Sequence, residues 1–155
     1  MDIYIGKLAI TNFCKENIEH IKFKREMLDD GLMCYFFPHF DEHNFLTPSD
    51  IKEKTRIKNF YLLKDSENLI GWFYTGGKQR QISLNYSIHP NYRKQGYATI
   101  LLEECRDYFF ENDIANEIEL VIKNNNSGSL KAAKKAKYKC IGKFDSFYIY
   151  NSKKN

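Results

Sequence analysis

No Cys-x-x-Cys pair occurs in this sequence. Its four cysteines, Cys14, Cys34, Cys105 and Cys140, stand singly and far apart. That spacing offers neither a disulfide framework nor a redox motif, and it reads as a reduced intracellular chain with buried thiols. No apolar run approaches the length of a membrane span. Met1-Asp2-Ile3-Tyr4 has no basic leader and no apolar stretch behind it, so the expected location is cytoplasmic, without a membrane partner. There is no internal repeat, low-complexity segment or linker. A strong excess of one charge is missing too: 24 Lys and Arg face 20 Asp and Glu, for a net charge of +4. That mild balance accommodates an anionic cofactor and gives no argument for a nucleic-acid partner. What the chain has in quantity is aromatic residues, 15% of 155. The length suits one domain and can bury a substantial core.

The informative stretch is 82–111. Ile82, Leu84, Tyr86 and Ile88 alternate with polar residues, the pattern of a half-buried strand. Pro90 ends it, having no N–H to donate. Beyond a basic turn, Ala98, Leu101, Leu102, Cys105, Tyr108 and Phe109 recur at helical spacing, with Glu103, Glu104, Arg106, Asp107 and Glu111 mainly opposite. A strand therefore runs into a turn that opens a helix. The first N–H groups of a helix lack partners and attract phosphate. Gly96 lets a backbone approach an anion closely, Ala98 is the next smallest choice, and Arg93 and Lys94 add charge. By itself the turn is equally a solvated basic connection.

Arg93-Lys94-Gln95-Gly96-Tyr97-Ala98 resembles the Gln/Arg-x-x-Gly-x-Gly/Ala signature of the GCN5-related N-acetyltransferase (GNAT) superfamily. Tyr86-Ser87-Ile88-His89-Pro90 with the turn and Gly96-Tyr97-Ala98-Thr99 is similar to the branch that includes ribosomal-protein N-terminal acetyltransferases. The resemblance implies acetyl-coenzyme A as co-substrate and no metal. The turn, Arg93 through Thr99, would hold its pyrophosphate, and the strand near Ile88 its pantetheine arm. A second segment, Asn126-x-x-Ser129 with Lys135-x-Lys137-Tyr138, is similar to the family's Asn-x-x-Ser…Glu-Lys-x-Gly-Phe. It implies that Asn126 holds the arm and that Ser129 can reach the thiol.

The remaining chain reads in order as follows. Residues 3–10 are a strand around Ile3, Ile5, Leu8 and Ile10. Residues 15–30 are a helix with Ile18, Ile21, Met27 and Leu28 inward, capped by Thr11 or Asn12 and stopped at Gly31. Residues 32–48 hold Tyr35, Phe36, Phe37, Phe40 and Phe45. They either cover the sheet edge or wall an acceptor pocket, with Asp41 and Glu42 drawing in a cationic amine. His39 and His43 have a helical metal spacing, but Pro38 and the lack of periodicity argue against a site. Thr47-Pro48-Ser49-Asp50 starts a helix through Ile57. Phe60–Leu63 and Leu69–Tyr74 form a hairpin, Thr75-Gly76-Gly77-Lys78 a turn, and Ile118, Leu120 and Ile122 a buried strand. A short helix over 127–137 carries Lys131, Lys134, Lys135 and Lys137, either for solvation or to attract the cofactor's 3′-phosphate. Tyr138–Gly142 and Phe147–Tyr150 are strands, and 151–155 a polar tail.

This order, β-α-α-β-β-β-α-β-α-β-β, matches the GNAT fold. It is an α/β (α+β) class with a mixed, mostly antiparallel sheet of about six to seven strands and about four helices. The expectation is one domain over 1–155, with an acceptor-side half at 1–80 and a cofactor half at 81–155. Three departures stand out. Ala133 occupies the place of the family's acid tyrosine, Ser83 that of a basic glutamate, and Lys137 that of a glycine. Asn126 and Ser129 are then the catalytic candidates, with Ser129 protonating the thiolate and Glu119 and Tyr86 in reserve for proton relay. A strand amide near Ile88 would hold the oxyanion. Nothing basic beside Cys140 supports an acyl-enzyme. The expected partner is a small-molecule or peptide amine. A homodimer paired through Phe147–Tyr150 fits the family's habit.

Overall fold

The computed structural model describes residues 2–12, 14, 16–29, 59–78 and 80–155. The aromatic stretch at 32–48, with Asp41, Glu42, His39 and His43, and the helix expected through Ile57 lie outside the described residues, as does Cys34. Within them, eight strands form one sheet in the order β1-β2-β3-β4-β5-β6-β8-β7. The strands are β1 (Ile3–Tyr4), β2 (Ala9–Asn12), β3 (Asn59–Asp65), β4 (Asn68–Lys78), β5 (Gln81–Ile88), β6 (Glu117–Lys123), β7 (Lys139–Phe144) and β8 (Phe147–Lys153). The described helices are α1 (Ile18–Asp29), α2 (Tyr97–Glu111) and α3 (Ser127–Lys135). Every strand pair is antiparallel except β5–β6, which is parallel. A mixed, mostly antiparallel sheet is as expected from the sequence.

The extra strand comes from the N-terminus. The single strand expected at 3–10 is a hairpin, with Ile3 opposite Ile10 and Tyr4 opposite Ala9. The chain reverses at Gly6, whose φ of 129° suits glycine. Glu104 of α2 holds the reversal, accepting from the N–H groups of Lys7 at 2.7 Å and Leu8 at 3.0 Å. The cue was a parity change: the apolar positions switch from odd (Ile3, Ile5) to even (Leu8, Ile10).

α1 is capped by Asn17 rather than Thr11 or Asn12: its Oδ1 accepts from the N–H groups of Glu19 (2.9 Å) and His20 (3.3 Å). This start sets Phe23 and Met27, one turn apart, inward, and leaves Ile18 exposed. The segment Thr75-Gly76-Gly77-Lys78 is not a turn but the end of β4, paired with β5 through Lys78–Gln81. A Cβ at Gly77 would stand 2.5 Å from the Gln81 carbonyl oxygen, so this glycine serves a close strand approach. The expected polar tail likewise begins later, since Asn151, Ser152 and Lys153 continue β8 against Glu119, Ile118 and Glu117.

α2 and α3 pack on the sheet face that carries Ile82, Leu84 and Ile88. Leu101, Leu102, Cys105, Ile118, Leu120 and Ala133 form the centre of that core. Cys105 is buried as expected, and desolvation pushes its thiol pKa well up. Cys14 and Cys140, by contrast, are exposed. β8 lies between β6 and β7, so both its backbone edges are already paired. Phe147–Tyr150 therefore cannot add a strand across a dimer interface, as the sequence reading had it. No helix among the described residues is long and apolar enough to cross a membrane.

α3 ends at a residue that resists its own conformation. Lys137 has φ 64°, and the Tyr138 N–H returns to the Ala133 carbonyl at 2.9 Å. Left-handed backbone costs a non-glycine residue roughly 1–2 kcal/mol. Lys137→Gly should therefore raise stability by about 1 kcal/mol in urea denaturation. At Gly71 the sign reverses, because a Cβ there would meet the Ser87 carbonyl oxygen at 2.4 Å. Gly71→Ala should destabilise by about 1–3 kcal/mol. Gly142→Ala, whose Cβ meets no described residue within 4 Å, is the near-neutral control.

Candidate functional site

The sheet comes apart at its only parallel pairing among the described residues. β5 is bonded to β4 along its whole length, from Gln81–Lys78 to Ile88–Gly71. To β6 it is bonded only at Gln81–Glu117, Ile82–Ile118 and Ser83–Glu119. β6 meanwhile follows β8 from Glu117 to Lys123. The two strands diverge because each is held by a different neighbour. Arg80 pins the closed end, bonding Asn116 Oδ1 at 2.8 Å and the Asp113 carboxylate. The Asn116 N–H bonds back to the Arg80 carbonyl at 2.7 Å.

The open end presents backbone. The His89 N–H donates to the Ile70 carbonyl at 2.8 Å. Alternation along an antiparallel pair then points the N–H and C=O of Ile88 and Tyr86 away from β4, into the gap. The Ile88 carbonyl is already occupied by Arg93 Nε at 2.9 Å. The Ile88 N–H faces the gap, with no strand opposite among the described residues.

The turn beyond β5 is braced by its own side chains. His89 caps a short 3₁₀ turn at Pro90–Tyr92, its Nδ1 accepting from the Asn91 N–H at 3.1 Å. Gln95 Nε2 donates to the Asn91 carbonyl at 3.2 Å, and the Tyr97 hydroxyl donates to Asp65 at 2.5 Å. Lys94 and Gly96 adopt φ of 62° and 85°. The first closing bond of α2 is Ile100 N–H to Gly96 C=O, at 3.1 Å. The N–H groups of Tyr97, Ala98 and Thr99 thus have no acceptor within the helix. Among the described residues no side chain caps them, and none comes within 4 Å of a Cβ placed on Gly96. Of the sequence-derived set, Arg93, Gln95 and Tyr97 use their side chains to shape the turn. Gly96, Ala98 and Thr99 contribute backbone at its open mouth, and Lys94 an exposed charge.

Across the gap, Asn126 caps α3, its Oδ1 accepting from the Ser129 N–H at 3.2 Å. That fixes its amide and leaves Nδ2 as a donor. Ser129 lies in the first turn of α3. The Tyr86 hydroxyl reaches this turn from β5. It is buried, with the Ser129 hydroxyl as its polar neighbour. Burial raises the Tyr86 pKa above that of an ordinary phenol, and Ser129 pulls it the other way. Glu119 stands at the last paired rung, opposite Ser83. Ala133 is packed in the core. Lys131, Lys134, Lys135 and Lys137 are exposed, and no group of three metal-ligating side chains occurs among the described residues.

The sequence reading missed a buried contact between α1 and the turn. His89 is 6% exposed, and its Nε2 lies 2.9 Å from Glu26 Oε2. Because Nδ1 accepts, the ring proton is on Nε2 and is donated to Glu26. Phe23 stacks on the same imidazole at 5.5 Å, Tyr92 meets it edge-on at 5.9 Å, and Tyr97 continues the row at 6.2 Å from Tyr92. The signal was the i, i+3 spacing of Phe23 and Glu26, which puts both on one side of α1. Glu26→Ala should lower stability by about 1–3 kcal/mol in chemical denaturation by leaving a buried N–H unmet. Glu26→Gln, which keeps an acceptor, should recover most of the loss.

Known proteins share this fold. A family model described as an acetyltransferase (GNAT) domain matches residues 9–139. An acetyltransferase of the GNAT family from Bacillus anthracis superimposes with a TM-score of 0.76 at 16% identity, covering 99% of this chain and 98% of its own. The Campylobacter jejuni N-acetyltransferase PseH, in complex with acetyl coenzyme A, gives 0.67 at 18% identity, over 96% and 99%. RimL, a ribosomal L7/L12 alpha-N-protein acetyltransferase in complex with coenzyme A, gives 0.71 at 10%, over 99% and 98%. With the family model spanning most of its length and a splayed β5–β6 pair feeding an uncapped helix, this chain belongs to the GNAT acetyltransferase family.

Proposed function

We propose that the protein transfers the acetyl group of acetyl-coenzyme A to a primary amine, by direct attack in a ternary complex. The acceptor is a small molecule or a protein N-terminus or lysine. The observation that carries this reading is the wedge between β5 and β6, with unpaired backbone on one wall and the bare start of α2 at its mouth. In this reading the N–H groups from Gly96 to Thr99 hold the pyrophosphate, with Lys94 adding charge and Arg93, Gln95 and Tyr97 keeping the turn in shape. The pantetheine arm lies along β5, and Asn126 Nδ2 holds it from α3. The Ile88 N–H points where the thioester oxygen gains charge, and so favours the transition state over the ground state. The amine attacks from the opposite side of β5 and loses its surplus proton to water.

A second reading, an acyl-coenzyme A-binding module without turnover, draws on one observation. Ala133 is fully buried where the family's acid would stand, and Ser83 is no base. Turnover with any amine removes it.

Two measurements test the first reading. Calorimetry should detect micromolar coenzyme A binding that Gly96→Glu abolishes while melting stays cooperative, because a carboxylate would occupy the anion's place. A thiol-release assay with acetyl-coenzyme A and a panel of polyamines, aminoglycosides, amino acids and N-terminal peptides should find at least one acceptor. Absence of coenzyme A binding would overturn both readings.

A further inference from the structure

His89 stands where β5 ends and the turn begins, and each of its polar groups is in use. Its N–H donates to the Ile70 carbonyl at 2.8 Å, and its carbonyl accepts from the Tyr92 N–H at 2.9 Å. Nδ1 accepts from the Asn91 N–H at 3.1 Å, and Nε2 lies 2.9 Å from Glu26 Oε2. The Asn91 carbonyl in turn accepts from Gln95 Nε2 at 3.2 Å, and Gln95 leads directly into Gly96 and the bare start of α2. A row of hydrogen bonds therefore runs from α1 to the mouth of the wedge. Its weak point is the imidazole. A neutral ring has one proton and two nitrogens, so it can accept at Nδ1 only while the proton sits on Nε2. With the proton on Nδ1, two N–H groups would face each other at Asn91 and the cap would be lost. Phe23 and Tyr92 hold the plane of the ring, but their carbon surfaces cannot choose between its nitrogens. The Glu26 carboxylate can, because it accepts a hydrogen bond and has none to donate.

We propose that Glu26 is a positioning residue for the coenzyme A turn: it fixes the His89 tautomer, and through His89, Asn91 and Gln95 it holds the amides from Gly96 to Thr99 in their anion-binding arrangement. This inference rests on the coenzyme A site of the reading above. Neither the carboxylate nor the imidazole touches the cofactor; both act through the backbone of the turn. A helix of the N-terminal half thereby sets the affinity for a ligand held by the C-terminal half. A carboxylate on this side of an anion site opposes binding by its charge. The Glu26 side chain is 45% exposed, so solvent and salt screen that repulsion. Its hydrogen bond to a ring that is 6% exposed is shielded far better. The ordering of the turn therefore outweighs the repulsion. The effect is also local to one part of the ligand. Only a donor that carries the pyrophosphate gains from a well-shaped turn, whereas the pantetheine arm lies along β5, upstream of His89.

The test reads binding, tautomer and donor dependence, all well below the melting temperature of each variant. In calorimetry Glu26→Ala should weaken coenzyme A binding about 10-fold, and Glu26→Gln, which still accepts from Nε2–H, should stay within about threefold of wild type. Proton–nitrogen correlation spectra of the imidazole, assigned by the signal lost in His89→Asn, should show the proton on Nε2 in wild type and Glu26→Gln. Glu26→Ala should show a mixture of the two tautomers. In transfer assays the Glu26→Ala defect should lie in KM for acetyl-coenzyme A, with kcat within about twofold of wild type. S-acetylpantetheine ends before the pyrophosphate, so with that donor the two proteins should differ by less than about threefold in kcat/KM. A merely structural role would impair both donors alike and leave the tautomer unchanged. A Glu26→Ala protein that binds coenzyme A within about twofold of wild type, equal impairment with both donors, or a wild-type His89 proton on Nδ1 overturns the proposal and leaves the coenzyme A site standing. Should Glu26→Ala fail to fold, His89→Asn and His89→Leu decide. Asn keeps an acceptor for the Asn91 N–H and Leu does not, so equal coenzyme A affinity in the two overturns the proposal. Wild-type protein that binds no coenzyme A overturns the reading above, and this inference with it.

Discussion

Three rungs of parallel pairing, Gln81–Glu117 to Ser83–Glu119, govern the geometry of this molecule. β5 and β6 are each committed to a different antiparallel neighbour, and twist in those two halves drives them apart beyond the third rung. Arg80, Asp113 and Asn116 tie the closed end outside the sheet. Unpaired backbone inside a sheet is costly, and it persists here because the neighbouring pairs hold it open. The gap is therefore a product of topology more than of any side chain.

The turn at the mouth of the gap follows the same economy. Arg93, Gln95 and Tyr97 look like ligands in the sequence, yet each side chain bonds to the protein itself. They set a left-handed pair at Lys94 and Gly96 and aim main-chain N–H groups outward. α1 supports the turn from the other side through Glu26, Phe23 and His89. The half of the chain expected to choose an acceptor is thus joined mechanically to the half expected to hold the donor.

Much of this was legible because it is local. The alternation of Ile82, Leu84 and Ile88, the helical spacing of Leu101, Leu102, Cys105 and Phe109, and the start of α3 at Asn126 depend on near neighbours in sequence. What escaped was set at long range. Gly77 looked like a turn residue, but it is there because Gln81 backbone passes 2.5 Å from where its Cβ would lie. The reversal at Gly6 depends on a carboxylate nearly a hundred positions away, Glu104. That β8 is an interior strand cannot be read from Phe147–Tyr150, since the order of strands is a property of the whole sheet.

The chain's single tryptophan, Trp72, lies on β4 directly opposite Ser87 and stacks on Tyr74 at 5.4 Å. It is 2% exposed, one strand away from the backbone that lines the gap. Its emission therefore comes from one buried indole, with no second indole to blur it. A change in the spacing of β4 and β5 would register as a change in that spectrum, so the protein carries an optical gauge of its own central strands without any added label.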